Sequence, residues 1–174
     1  MADNTSRSLR SSFVYQVFVR NYSEAGDFKE LTADLERIRA LGADIIHLLP
    51  IHPIGLKRRK GSLGSPYAIK DYTSIDPAYG REEDLSELLR KAHSLGMRVL
   101  MDIVYNHTSP DSRLFSQHPD WFYHKNGVPG NKAGDWQDVI DLDFERGGHA
   151  LERYLIDNLS RWAKFGFDGF RCDV

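Results

Sequence analysis

Three short stretches of this sequence carry residue types that could do chemistry together. Asp102-Ile103-Val104-Tyr105-Asn106-His107 sets a carboxylate, an amide and an imidazole within six positions. Arg171-Cys172-Asp173 sets a guanidinium two residues from a carboxylate. Tyr67-Ala68-Ile69-Lys70-Asp71-Tyr72 offers aromatic rings in a polar setting. If Arg171 and Asp173 lie on one strand, alternation puts them on the same face and Cys172 on the other. The arginine would then hold the carboxylate ionised and oriented, ready to act as nucleophile, general base or metal ligand. The competing reading is a structural ion pair at a rim. Asp102 and His107 could ligate a metal with Asn106 as an oxygen donor, or Asp102 could pair structurally beside a loop histidine. Tyr67 could stack on the apolar face of a sugar ring, or simply pack its loop.

The elements that would position these groups repeat a pattern. The apolar, β-branched run Phe13–Val19 predicts a buried strand. Phe28, Leu31, Leu35, Ile38 and Leu41 recur at three- and four-residue spacing and predict an amphipathic helix over Phe28–Leu41, stopped at Gly42. A second buried strand follows over Ala43–Leu49. Asp84–Leu95 then predicts a helix stopped at Gly96, and Arg98–Val104 a third strand. Leu151–Phe165 predicts a helix stopped at Gly166, and Phe167–Cys172 a fourth strand. Strands alternating with glycine-stopped helices imply βαβ units and a parallel sheet. The stretches Pro50–Gly80 and Tyr105–Gly148 both follow a strand and precede a helix. Both exceed the usual ~2–6 residues of such a loop, as functional loops or inserted subdomains do. All three chemical stretches fall at or after strand C-termini, the side where active sites of parallel α/β folds assemble. Four units in 174 residues is about 43 residues each, so eight would need roughly 350, within the range of an eight-stranded barrel. The expectation is an α/β fold: the N-terminal half of a (β/α)8 barrel. A polar tail occupies 1–12, an incomplete catalytic barrel 13–174, and a small irregular insertion 105–148.

Composition narrows the partners. Lys+Arg 23 against Asp+Glu 25 leaves a net charge of −2, which gives no global field for nucleic acid or an anionic membrane. One cysteine excludes an intrachain disulfide framework and a Cys-rich zinc site. Cys172 reads as a small buried residue. The basic run Lys57-Arg58-Arg59-Lys60 reads as a solvated loop. His52, His93, His118, His124 and His149 read as surface or packing residues, since they fit no metal-ligand spacing. No stretch approaches a membrane span, and the polar N-terminus lacks the apolar core of a signal peptide, so the expected location is cytoplasmic.

In order, YQVFVRNYSE, LLPIHPIG, SPYAIKDYTSIDPAYG, DIVYNH, DVIDLDF and GFDGFRCDV resemble the N-terminal half of the α-amylase family of glycoside hydrolases, from about Phe13 to Val174. The resemblance implies a (β/α)8 barrel with a small domain inserted after strand three. It also implies retaining chemistry on α-glucosidic bonds of starch-like glucans or maltooligosaccharides. It places Asp173 as the nucleophile, Arg171 as the arginine that orients it, and Asp102 as structural support for that arginine. Tyr67 and His107 become contacts to the sugar at the cleavage point. Asn106 and Asp141 match two ligands of a calcium ion that many members bind. No cofactor is required, and calcium is an optional addition. A retaining glycosidase also needs a second carboxyl about 5–5.5 Å from the nucleophile. In this family it is a glutamate after strand five, beyond Val174, so the 174 residues alone are expected to lack the general acid and to be inactive. An isomerising member, such as a trehalose-forming enzyme, and a non-catalytic carbohydrate-binding relative are the alternatives.

Overall fold

The computed structural model describes residues 6–173. Residues 1–5 of the expected tail and Val174 lie outside the described residues. Within the rest of that tail, Arg7–Arg10 forms a short helix, α1. Four strands build one parallel sheet: β1 (Val14–Val17), β2 (Ile45–Leu48), β3 (Arg98–Val104) and β8 (Gly169–Asp173), in spatial order β1-β2-β3-β8. Three helices alternate with them: α2 (Phe28–Ala40), α3 (Glu82–Ser94) and α5 (Phe144–Phe165). The expected βαβ series is therefore present.

Local chemistry sets the helix ends. The Asp27 carboxylate accepts from Glu30 N at 2.9 Å and caps α2, and Asp143 does the same for the first turn of α5. Gly42, Gly96 and Gly166 all adopt positive φ where their helices stop, a conformation that a Cβ would strain. One face of α2 and α3 buries Phe28, Leu31, Leu35, Leu85 and Leu88 against Ile46, Leu48, Val99 and Met101 of the sheet. Gly169 admits β8 to this arrangement, because a Cβ there would meet Leu100 Cδ2 at 2.9 Å.

Four details differ from expectation. Phe13 and Val14 are 44% and 43% exposed rather than buried, because β1 is an edge of the sheet. Val19, placed in the first strand by its apolar run, sits instead in a 3-10 turn over Val19–Asn21. Leu41 is 56% exposed because it is the C-cap of α2, past the last turn that faces the core. Cys172 is exposed, since its strand is the opposite edge and it lies on the face away from Arg171 and Asp173.

The 105–148 stretch is irregular, as expected. It holds two small antiparallel pairs, β4 (His107–Thr108) with β7 (Ile140–Asp141) and β5 (His124–Lys125) with β6 (Val128–Pro129), and one short helix, α4 (Arg113–Gln117). Its own apolar cluster gathers Ile69, Leu114, Phe122, Ile140, Leu142 and Leu151. Helix α5 starts within this stretch, at Phe144, and kinks at Gly148 (φ 49, ψ −146) before it runs back to the sheet. The loop after β2 docks on the insertion through Gly55, where any Cβ would overlap the Ser109 side chain.

Tyr72 ties these layers together. Its hydroxyl lies 2.6 Å from the Val104 carbonyl and 2.9 Å from that of His107. Its own carbonyl accepts from Asn158 Nδ2 at 2.9 Å and Trp162 Nε1 at 3.0 Å, both on α5. His52 packs beside this junction, 1% exposed, with its ring 5.5 Å from Trp162 and Nδ1 2.8 Å from the Ser74 carbonyl.

Burial pushes the His52 imidazole down to about 4, against the opposing pull of the Ser74 carbonyl and Asp71. Unfolded, the same group titrates near ~6.5. Between those values the unfolded chain binds more protons than the folded one. Stability from this residue is therefore complete above about pH 6.5 and falls as pH drops toward 4, by about 3 kcal/mol. Urea unfolding across that range should show this slope in the wild type and a flatter one in His52→Gln. Equal slopes would remove His52 as the cause.

Candidate active site

Strand register assembles the first group of side chains. β3 and β8 pair so that Asp102 lies opposite Arg171 and Val104 opposite Asp173. Asp102, Arg171 and Asp173 thus share the face turned away from the helices. Arg171 Nη1 donates to both oxygens of Asp102 at 3.0 Å and to Asp173 Oδ1 at 2.6 Å. The pairing expected from sequence is present, and the arginine bridges both carboxylates. That bridge raises the Arg171 pKa, with the Asp102 hydrogen bond as the largest cause.

Asp102 is 1% exposed and takes a further partner from the loop after β2, the Tyr67 hydroxyl at 3.1 Å. Burial pushes the Tyr67 phenol up to about 12, and the Asp102 charge adds to it. Tyr67 therefore keeps its proton, and its O–H donates a hydrogen bond to Asp102.

His107 enters from β4, buried at 4%. Its Nδ1 accepts from Asn106 Nδ2 at 3.1 Å. Burial lowers the His107 pKa, with the opposing charges of Asp141, Asp173 and Asp138 too weak to reverse it. At neutral pH the ring is uncharged.

Tyr67, His107 and Asp173 line a cavity of ≈ 330 Å³ at the C-terminal edge of the sheet. Five further residues on its wall were given no site role from sequence: Lys60, Ser65, Trp136, Asp138 and Val139. Lys60 belongs to the basic run read as a solvated loop, and all four residues of that run are exposed. Lys60 also reaches the insertion, with Nζ 2.9 Å from the Asp138 carboxylate, which is 3% exposed. Trp136 lies edge-on to His107, with ring centroids 5.7 Å apart. A tryptophan among Asn131, Lys132, Gly134 and Asp135, with no apolar periodicity to bury it, was the available signal.

Two more residues went unnoticed in the strands. The Gln16 amide donates to His47 Nδ1 at 3.1 Å, which leaves the proton on His47 Nε2 facing Asp102 Oδ2 at 3.6 Å. That nitrogen is buried with no hydrogen-bond partner among the described residues. Their signal was alternation: polar residues at Gln16 and His47 interrupt otherwise apolar strands.

Asn106 and Asp141 are brought close, since His107 pairs with Asp141 in the β4–β7 ladder. Asp141 Oδ2 already accepts from Lys132 N at 2.8 Å. Ca²⁺ takes about 6–8 oxygen ligands. Among the described residues no three His, Cys, Asp or Glu side chains gather to hold a metal. The pair does not by itself form a calcium cage.

Comparison with known proteins agrees with this geometry. The family described as "Alpha amylase, catalytic domain" matches residues 16–174. The chain is 36% identical over 168 residues to an alpha-1,4-glucan:maltose-1-phosphate maltosyltransferase of Rhodospirillum rubrum, covering 85% of this chain and 24% of that protein. It is 27% identical to a probable oligo-1,6-glucosidase of Bacillus subtilis, covering 95% of this chain and 35% of that protein. Among solved structures it is similar to an alpha-amylase from Lactobacillus plantarum. That match has 60% identity and TM-score 0.91, and covers 95% of this chain and 39% of the other. The chain thus spans about a quarter to a third of the length of the two curated relatives. No helix among the described residues is long and apolar enough to cross a membrane.

The unequal burial of the Arg171–Asp102 pair, 46% against 1% side-chain exposure, predicts an asymmetry. Arg171→Met strands a buried carboxylate and should cost about 3–5 kcal/mol. Asp102→Asn leaves an arginine that water and Asp173 can still satisfy, and should cost about 1–2 kcal/mol. Urea denaturation of both variants checks the order, and the reverse order would contradict it.

Proposed function

The chain belongs to the α-amylase family, and from that premise we propose that it supplies the nucleophile half of a retaining enzyme acting on α-glucosidic bonds of starch-like glucans or maltooligosaccharides. The observation that carries the reading is the bridge from Arg171 to Asp173 and Asp102 beside Tyr67.

Arg171 occupies Asp173 Oδ1, which leaves Oδ2 free of that donor. In this reading Oδ2 attacks the anomeric carbon, the C1–O bond to the leaving sugar breaks, and a glucosyl ester forms. Water, or a sugar hydroxyl, then attacks the same carbon and releases the carboxylate. Two inversions give net retention. The leaving oxygen needs a proton in the first step. The family resemblance assigns that proton to a glutamate past Val174, which would then deprotonate the incoming hydroxyl. The transition state carries positive charge on the sugar ring. An uncharged His107 can hydrogen-bond a hydroxyl there without repelling that charge, and Tyr67 offers its ring face at the cleavage point. Asp102 fixes both Arg171 and Tyr67, so its role is positioning.

Hydrolysis and transfer share these residues, and the named relatives include both a maltosyltransferase and a glucosidase. A purely binding relative would have no chemical need for Asp173 bonded to Arg171.

In the barrel completed past Val174, Asp173→Asn should lower kcat/KM on maltotriose by about 10³-fold or more while the circular dichroism stays unchanged. The 174-residue chain alone should release no reducing sugar. Turnover by the variant within about tenfold of wild type would overturn the nucleophile assignment.

A further inference from the structure

Of the three tryptophans, Trp121 and Trp162 are 9% and 1% exposed, whereas Trp136 is 43% exposed. Its position is nonetheless held. Asn131 Nδ2 donates to the Trp136 carbonyl at 2.5 Å and to that of Val139 at 3.3 Å, and Gly134 N donates to Asn131 Oδ1 at 2.6 Å. The same segment is tied across the cavity by Lys60–Asp138 at 2.9 Å, and His107 braces the edge of the indole. A large apolar ring kept in water at a fixed place on a cavity wall loses the free energy of burial. Fixed there, the indole offers a ligand a broad apolar face with a polar edge. The cavity it lines is the one that holds Asp173 and Tyr67, and its wall sets the polar groups of Lys60, Ser65, His107 and Asp138 beside apolar surface. A ligand matching this wall has a flat C–H face and a rim of hydroxyls, which is the chemistry of a pyranose.

We propose that Trp136 is a carbohydrate platform that stacks on the sugar unit adjacent to the one at Asp173, with the Asn131 turn and the Lys60–Asp138 pair as its mount. This rests on the α-glucan reading given above. Tyr67 and His107 would grip the unit being cleaved, and Trp136 would decide how strongly a second unit is required. The alternative is that the indole only supports His107.

The test uses the Asp173→Asn variant of the completed barrel, so that maltotriose stays intact. Saturating maltotriose should shift tryptophan emission to the blue and shield it from acrylamide, and a further Trp136→Phe change should abolish both effects. By calorimetry, Trp136→Ala should weaken maltotriose binding at least tenfold, with Trp136→Tyr within about threefold of the parent. Binding by Trp136→Ala within twofold of the parent, saturable binding with unchanged emission, or no binding by the parent would each overturn the platform. The two readings fail separately. Binding through Trp136 without any α-glucan cleavage by the completed barrel sinks the catalytic proposal and keeps the platform. Cleavage with a KM for maltotriose unmoved by Trp136→Ala does the opposite.

Discussion

A carboxylate with 1% exposure cannot be left without partners, and Asp102 sets that demand at the centre of the sheet. Its oxygens are met by Arg171 from the neighbouring strand and Tyr67 from the loop after β2, with His47 facing it from the other side. Each of these partners comes from a different element, so satisfying one buried charge fixes three placements at once. A shift of β8 by one residue would turn Arg171 to the helix side and leave Asp102 with only the Tyr67 phenol and the facing His47. The register that serves folding therefore also aims Asp173.

The chain divides its packing in two. The helices and sheet bury one apolar cluster, and the insertion with the start of α5 buries another. The cavity lies where the second meets the open edge of the first. Tyr67 and Asp173 are delivered by the loop after β2 and by the sheet, His107, Trp136 and Asp138 by the insertion. The Lys60–Asp138 pair crosses between them. It joins a buried carboxylate to a half-exposed ammonium, so its net contribution is that of register more than of stability.

How much of this could be read in advance follows from the range of each interaction. The three helices and the third strand were legible because burial of one face imprints a period on consecutive residues. Leu41 and Val14 misled for the same reason, since periodicity does not say where a helix caps or which strand is an edge. Arg171, Asp173, Tyr67, Asp102 and His107 were legible through family motifs, and the structure brings them to one place. Gln16, His47, Lys60, Trp136 and Asp138 were not. Each of these matters through a contact distant in sequence or through an exposure that composition does not encode. Cys172 went the same way: alternation told which face it takes but not that the face would be uncovered.

The Tyr72 junction has a kinetic corollary. Its carbonyl receives Asn158 and Trp162 across sequence separations of 86 and 90 residues, while its hydroxyl closes the turn between β3 and β4. The two bonds to α5 span the whole insertion, whereas the two made by the hydroxyl need only residues up to His107. Contacts this far apart carry the loop-closure entropy that slows folding of parallel α/β chains. The insertion and the last helix are thus committed to order together, late in the search. A nascent chain that has not yet released α5 would leave the Tyr72 carbonyl without either of its donors.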